Sequence, residues 1–337
     1  MTPLAWLWYN TTINPAGGEI QIGGHFFMKS FTKIPESDEA LATKLIGRGL
    51  IVDRPTILDA LKAVGYFRLT GYLHPFKIPG TDNYRPGTTF DRLWSIYTFD
   101  RKLRLMAMDA LARIEIAIRA QIVKGFSAAF PSNAFAYIEH MSLPGITTRR
   151  HTELLNSIHR AVKQSENAPD IRHLKSEYGV VDYPPIWNVL EHAPFGLVTL
   201  FYEGLAPQVK QGVANVFFMQ PNAFGGVLMT FKNARNLCAH HSRFWNQHIQ
   251  SRIATNLGVR PELNPLVDSL KAQPTKNFTT IFSVLSLCAH CLAYVRPQSQ
   301  WRKRCAALLK TADLFILHGM GVPIDWQTRQ LWEDACK

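Results

Sequence analysis

Between residues 90 and 125 the chain repeats apolar positions at three- and four-residue steps, with Phe99, Leu103, Met106, Ala110, Ile114 and Ala117 on one stripe. That spacing is the period of an α-helix with one buried face, and Gly125 makes a fitting stop. Arg101, Arg104, Arg113 and Arg119 lie off the stripe. Residues 36–52 open on Ser37 as an N-cap, carry Asp38 and Glu39 in the first turn, and are punctuated by Gly47 and Gly49. Pro55–Val64 begins on a proline and ends at Gly65, the asymmetry a helix prefers. Further helices are expected at 148–166, 185–206, 225–250, 276–294 and 300–316, between breaks such as "VDYPPIW" and "QPNAFGG".

Strand-like alternation is scarce after residue 90. The aromatic, glycine-bounded segment 65–77 and the turn-rich "IPGTDNYRPGTTF" leave room for one small β or turn element near 66–90. The expected fold is mainly α: a helical bundle over 30–255, a small N-terminal β/turn element, and a helical C-terminal extension over 256–337. No internal repeat or low-complexity tract interrupts it.

Composition sharpens the picture in one direction. Of 337 residues 47% are hydrophobic and 18% charged, as in an ordered globular protein. Lys and Arg number 37 against 25 Asp and Glu, a net charge of +12 that favours a polyanion, most plausibly nucleic acid. Five cysteines, an odd count with no disulfide-framework spacing, read as free thiols in a reducing cytoplasm. No apolar run reaches the roughly 18–20 residues that span a bilayer, so no membrane partner is expected. The first 28 residues lack a basic region and an apolar core of the secretory kind. Residues 1–27 hold no Lys or Arg and a single acid, so Met28 reads as the native start. An N-terminal strand or partner-binding arm is the competing reading.

The densest chemistry lies in "FKNARNLCAHHSRFWN", residues 231–246, which gathers Arg235, Asn236, His240, His241 and Arg243 within nine positions. RNA is cut without metal by its own 2′-hydroxyl when one group accepts that proton, another donates to the leaving oxygen, and a cation steadies the phosphorane. Imidazole suits the proton transfers, and the planar guanidinium suits the phosphate. Asn236 would orient the histidine or bind phosphate as a neutral donor. On a regular helix Asn236, His240 and Arg243 share a face at i, i+4 and i+7. Arg235 and His240 stand roughly 140° apart around such a helix and converge poorly. Either the helix is distorted here or a second copy completes a shared cleft, and the homodimer is preferred. The bland alternative is a solvated polar face with a satisfied core histidine.

"RNLCAHHSRFWN" resembles the Arg–Asn–x3–His signature of the HEPN ribonuclease superfamily, and more closely the Abi-like (AbiD/AbiF-type) abortive-infection proteins of bacteria. Further blocks look like the same family in the same order: "GRGLIVDRPTILDALKAVGYFRLTGYLHPFK" (47–77), "YTFDRKLRLMAMDALARIEIAIRAQI" (97–122), "PPIWNVLE" (184–191), "FGLVTLFYEGL" (195–205) and "MGVPIDWQTRQLW" (320–332). The resemblance covers about 30–332 and leaves the leader outside. It implies an α-helical HEPN fold, a homodimer that brings two motifs together, and metal-independent RNA cleavage as a cytoplasmic toxin of phage defence. Arg235 and His240 match the catalytic arginine and histidine, Asn236 matches the polar residue after the arginine, and His241 offers an alternative histidine. Some Abi-like relatives associate with small non-coding RNA, and type VI CRISPR effectors use a related motif; both are analogies. One departure is Pro194 in "EHAPFG" (191–196), which breaks the helix expected to lead into Phe-Gly.

Other candidates rank lower. "CAHC" (288–291) is a lone C-x2-C in an apolar segment with no second ligand pair, so buried thiols are expected rather than zinc. Cys238 with His241 at i+3 lacks further ligands, and neither metal nor cofactor is expected. In "YFRLTGYLHPF" Arg68 sits among aromatics that would stack RNA bases or simply fill the core. The basic stretch 296–310, with Trp301 beside Arg302, Lys303 and Arg304, reads as a solvated helix end or an RNA-backbone contact. No Walker loop, Rossmann fingerprint, H-E-x-x-H or G-x-S-x-G is present. The functional expectation is a metal-independent endoribonuclease. Its alternatives are a non-catalytic protein holding a structured or guide-like RNA in the same cleft, and a metal-stabilised structural protein. The RNA target and any antitoxin are not legible.

Overall fold

Local capping rules account for where the first helices start. Ser37 and Asp53 accept hydrogen bonds from the amides of Ala40 and Thr56, which opens α1 (Asp38–Gly47) and α2 (Arg54–Val64). In this computed structural model the described residues are 20–22, 26–28, 34–179, 182–250, 257–273 and 278–337. The chain divides into two compact units, residues 1–90 and 91–337.

In the first unit, Gly65 adopts φ +84, a conformation that lets α2 stop and α3 (Tyr66–Leu73) start at once. The aromatic segment is therefore a helix, where a turn or strand element was expected. Its apolar residues are spaced for one side, and Leu69, Tyr72 and Leu73 bury there with Leu45, Ile57 and Leu61. What remains of the β element is a pair of isolated bridges, Lys77 with Tyr84 and Ile51 with Thr89. Two three-residue strands, β1 (Ile20–Ile22) and β2 (Phe26–Met28), pair antiparallel with Ile20 opposite Met28. The rest of the leader lies outside the described residues.

The second unit is built along α4 (Phe90–Ala129), 40 residues long and so about 60 Å at 1.5 Å per residue. Its stripe is buried at Leu93, Ile96, Phe99, Leu103, Ala107, Ala110, Ile114, Ile118 and Ile122. The stripe drifts round the helix, leaving Met106 and Ala117 half-buried and taking in two charged pairs. Arg104, expected off the stripe, is buried against Asp100, which is fully enclosed. Around α4 follow α5 (Thr148–Gln164), α6 (Pro169–Tyr178), α7 (Ile186–His192), α8 (Phe195–Gly204), α9 (Pro207–Asn215) and α10 (Pro221–Ala239). The chain continues through α11 (Asn264–Lys271), α12 (Ile281–Val295), α13 (Trp301–Lys310), α14 (Leu314–Gly319) and α15 (Glu333–Cys336).

Three of these differ from the sequence pattern. The helix expected over 185–206 is two, parted at Ala193 and Pro194, because proline removes a backbone donor and crowds the preceding turn. The one expected over 225–250 stops at Ala239. Helices α6, α9 and α11 each begin on a proline or carry one in the first turn, and lie outside the segments expected to be helical. Helix α10 packs on α8, α9 and α12, and α5 on α7 and α8. Rings of Phe126 and Phe201 meet edge-on at 5.4 Å in that core.

Candidate functional site

Helix α10 ends in a hydrogen-bond pattern that fixes the residues of interest. The amide of His241 donates to the carbonyl of Cys238 at 3.1 Å, and that of Ser242 to Leu237 at 2.9 Å. This is a Schellman ending, in which the residue after the cap takes a left-handed conformation usually given to glycine. Here that residue is His241, at φ +55. The left-handed region is open to histidine at some cost, and its occupation by a side chain marks the position.

The ending leaves Asn236 and His240 one turn apart at the close of the helix, and both line a cleft of about 320 Å³. Ser242, Gln247, His248 and Gln250 form other parts of its wall, and the Asn233 amide donates to the Gln250 carbonyl at 2.8 Å. His240 is exposed. The i, i+4 face expected from the sequence is therefore kept for these two. Arg243 does not join them: it lies beyond the turn, and its guanidinium donates to the Gln247 carboxamide oxygen at 3.3 and 3.2 Å.

Arg235 stands on another side of the helix. Its Nε lies 3.8 Å from Glu115 Oε2, and its Nη1 is 3.5 Å from Asn236 Oδ1. Glu115 is buried in α4 and also pairs with Arg119. Arg119 donates to the carbonyls of Leu190 at 2.9 Å, Glu191 at 2.5 Å and Ala193 at 2.8 Å. One guanidinium thus satisfies the carbonyls freed where α7 stops at the Pro194 break. The carboxylate it holds stands 3.8 Å from Arg235.

The turn after His241 is pinned by a second acid of α4. Asp100 accepts from the amides of Trp245 at 2.6 Å and Phe244 at 3.2 Å, and from Arg104. The Trp245 indole donates to the Ile316 carbonyl at 3.0 Å. Gly319 leaves room for that ring, since a Cβ there would stand 2.9 Å from it. Both acids follow a stripe residue and precede an arginine by four. That i, i+4 pairing inside an apolar stripe is the signal by which Asp100 and Glu115 were findable.

The remaining candidates are placed as follows. Trp301 is fully buried and donates to the Met106 carbonyl at 2.8 Å, so it offers no face to a base, a correction to its reading as an RNA contact. Arg302 donates to the Leu331 carbonyl at 3.0 Å, Arg304 pairs with Asp109 at 2.7 Å, and Lys303 is exposed. Arg68 is half-buried in α3, next to Phe67, which is 90% exposed. Cys238 is buried while His241 is exposed, and burial, with the Asp100 charge adding, pushes the Cys238 thiol up to about 12. Such a thiol resists the deprotonation that metal binding needs. Cys288 and Cys291 lie in the core, and His290 Nε2 bonds the Phe217 carbonyl at 3.0 Å. Among the described residues no three His, Cys, Asp or Glu side chains are grouped to hold a metal. None of the helices there is long and apolar enough to cross a membrane.

A family model described as Abi-like protein matches residues 59–246, more than half of the chain and inclusive of the cleft motif up to Asn246. No curated protein and no solved structure matches.

Proposed function

Because the chain belongs to the Abi-like protein family, the abortive-infection group, we propose that it is a metal-independent endoribonuclease of the HEPN type serving antiviral defence. The observation that carries this reading is the end of α10, where Asn236 and His240 share one cleft and Arg235, the preceding residue, lies 3.8 Å from a buried carboxylate. His240 takes the proton of an RNA 2′-hydroxyl. The 2′-oxygen attacks phosphorus, the bond to the 5′-oxygen breaks, and that oxygen leaves with a proton. The products are a 2′,3′-cyclic phosphate and a 5′-hydroxyl. Arg235 and Asn236 hold the non-bridging oxygens as charge collects on them. One imidazole per site serves one transfer at a time, and a second copy of the chain, paired across the cleft, supplies the other.

RNA cleavage by the purified chain, with EDTA present and RNA binding followed in parallel, tests this. Wild type cuts; Arg235→Ala and His240→Ala lose at least about 10²-fold, the scale of a general acid–base group, with unchanged melting. His241→Gly is the discriminating partner, because glycine suits the left-handed position and removes only the imidazole. It keeps cleavage if His240 is the proton carrier. No cutting by wild type alongside tight RNA binding that Arg235→Ala abolishes would replace this reading with that of an RNA-holding protein.

A further inference from the structure

A cavity of the second unit lies at the other end of α10, about 400 Å³ in volume, where α9 runs into it. Its wall includes Gln211, Asn215, Phe218, Val259 and Arg260. The polar groups there form a chain whose orientation is fixed by chemistry. Arg260 Nη2 lies 2.8 Å from an atom of the Asn215 carboxamide, and arginine only donates, so that atom is the oxygen. The Gln211 atom 2.7 Å from the same oxygen is then its nitrogen. Among the described residues this leaves Asn215 Nδ2 without an acceptor and Gln211 Oε1 without a donor, and both residues line the cavity.

The wall beside them is aromatic and cationic. Phe218 sits at φ +60, an outlier for a bulky side chain, and such strain gathers where a ring must be presented. Tyr294 backs it with ring centroids 4.6 Å apart, and the Arg260 guanidinium stands 5.9 Å from its centroid. Arg260 and Gln211 are exposed, and Val259, 91% exposed, adds an apolar lip. The guanidinium keeps donors beyond the one given to Asn215.

We propose that this cavity is a nucleotide-binding subsite. A base displaces the Arg260 guanidinium from the face of Phe218 and stacks there, the Asn215 amide and the Gln211 carbonyl read its hydrogen-bonding edge, and the displaced guanidinium takes the phosphate. A donor beside an acceptor meets the Watson–Crick edge of any base, so the class is a nucleotide, free or within a single strand. The subsite does not rest on the endoribonuclease reading. Helix α10 is 19 residues long, which places the two sites roughly 27 Å apart along it. A strand bound here has a fixed point well away from the cleft, and a free nucleotide has a site of its own.

Calorimetric titration of the full chain decides, with each of the four nucleoside 5′-monophosphates and with a short single-stranded 2′-O-methyl RNA that has no attacking hydroxyl. Arg260→Ala and Gln211→Ala are the variants; both side chains are exposed, and their melting curves are checked for identity with wild type. Binding of a monophosphate that weakens roughly tenfold in each, the loss of one charge-assisted or amide contact, supports a free nucleotide as ligand. Binding of the strand alone with the same losses supports a base within RNA. No binding of either at millimolar concentration, or binding indifferent to both substitutions, overturns the subsite. Since the readout is binding, failure of the cleft to cut RNA would leave this result untouched.

Discussion

Glu115 carries one negative charge between two guanidiniums, and the asymmetry of its contacts sets what it does. It is locked to Arg119, while Arg235 stands off at 3.8 Å. A carboxylate at that separation aims the arginine and also competes with phosphate for it. Glu115→Gln keeps the shape and removes the charge, so the two effects separate. Single-turnover cleavage should fall, toward the roughly 10²-fold that a misplaced group costs, while RNA affinity holds or rises. Glu115→Asp should recover part of the rate. A variant that cuts like wild type would show that Arg235 needs no such aiming, and one that loses affinity and rate together would assign the residue to stability alone. At this scale the sequence was half legible. The spacing put Asn236, His240 and Arg243 on one face, and the first two share a cleft while Arg243 does not line it. The partner of Arg235 was not visible, because a buried acid far upstream joins a site only after α4 and α10 have packed.

Helices were legible where a periodic stripe and an ordinary cap coincide, as in α1, α2 and α4. They were misread where the stop signal is carried by an unusual residue. His241 fills a position that glycine would have announced, so α10 seemed to run on. Pro221, in a stretch whose composition marks a break, opens α10, and Pro169 and Pro207 open helices that no periodic stripe announces. Helix α12 shows how far packing overrides composition: every residue from Ile281 to Leu292 is buried, His290 among them. Burial lowers the His290 pKa below 6.5, against the opposing pull of its bond to Phe217. The imidazole is thus neutral when folded, its Nε2–H donating to a carbonyl that can only accept. A depressed pKa stabilises above the unfolded value and loses that contribution as pH falls, because the unfolded chain takes up a proton that the folded one refuses. The window opens near pH 6.5 and extends downward to the folded pKa. Melting of wild type and His290→Gln at pH 7.5, 6.5 and 5.5 measures it. Wild type should lead at pH 7.5, with the gap narrowing by up to about 1.4 kcal/mol per pH unit below 6.5. A gap constant across the series would mean that His290 takes up its proton equally in the folded and the unfolded chain, with no depression by burial.

For the molecule as a whole, net charge was legible and its use was not. Of the cations singled out from sequence, Arg104, Arg113, Arg119 and Arg304 are each tied to a carboxylate, and so contribute little to an external field. Among the described residues, exposed cations of the second unit with no carboxylate partner include Arg101, Lys102, Lys124, Lys163, Arg172 and Lys175. Lys163 and Lys175 line one small cavity together with His159, Glu166 and Asp182. A polyanion drawn by the +12 chain meets these first, and it meets them through counterion release, with no dependence on base identity. RNA affinity should therefore fall linearly in a plot of its logarithm against that of salt concentration. Each phosphate contact removed should flatten the slope by about 0.7 for a single strand. Lys163→Glu combined with Lys175→Glu should flatten it and weaken binding, yet leave the cleavage rate at saturating RNA unchanged, since neither side chain lines the cleft of Asn236 and His240. The reverse pattern, an unchanged slope with slower cutting, would place the attraction elsewhere and tie this helix pair to the chemistry instead.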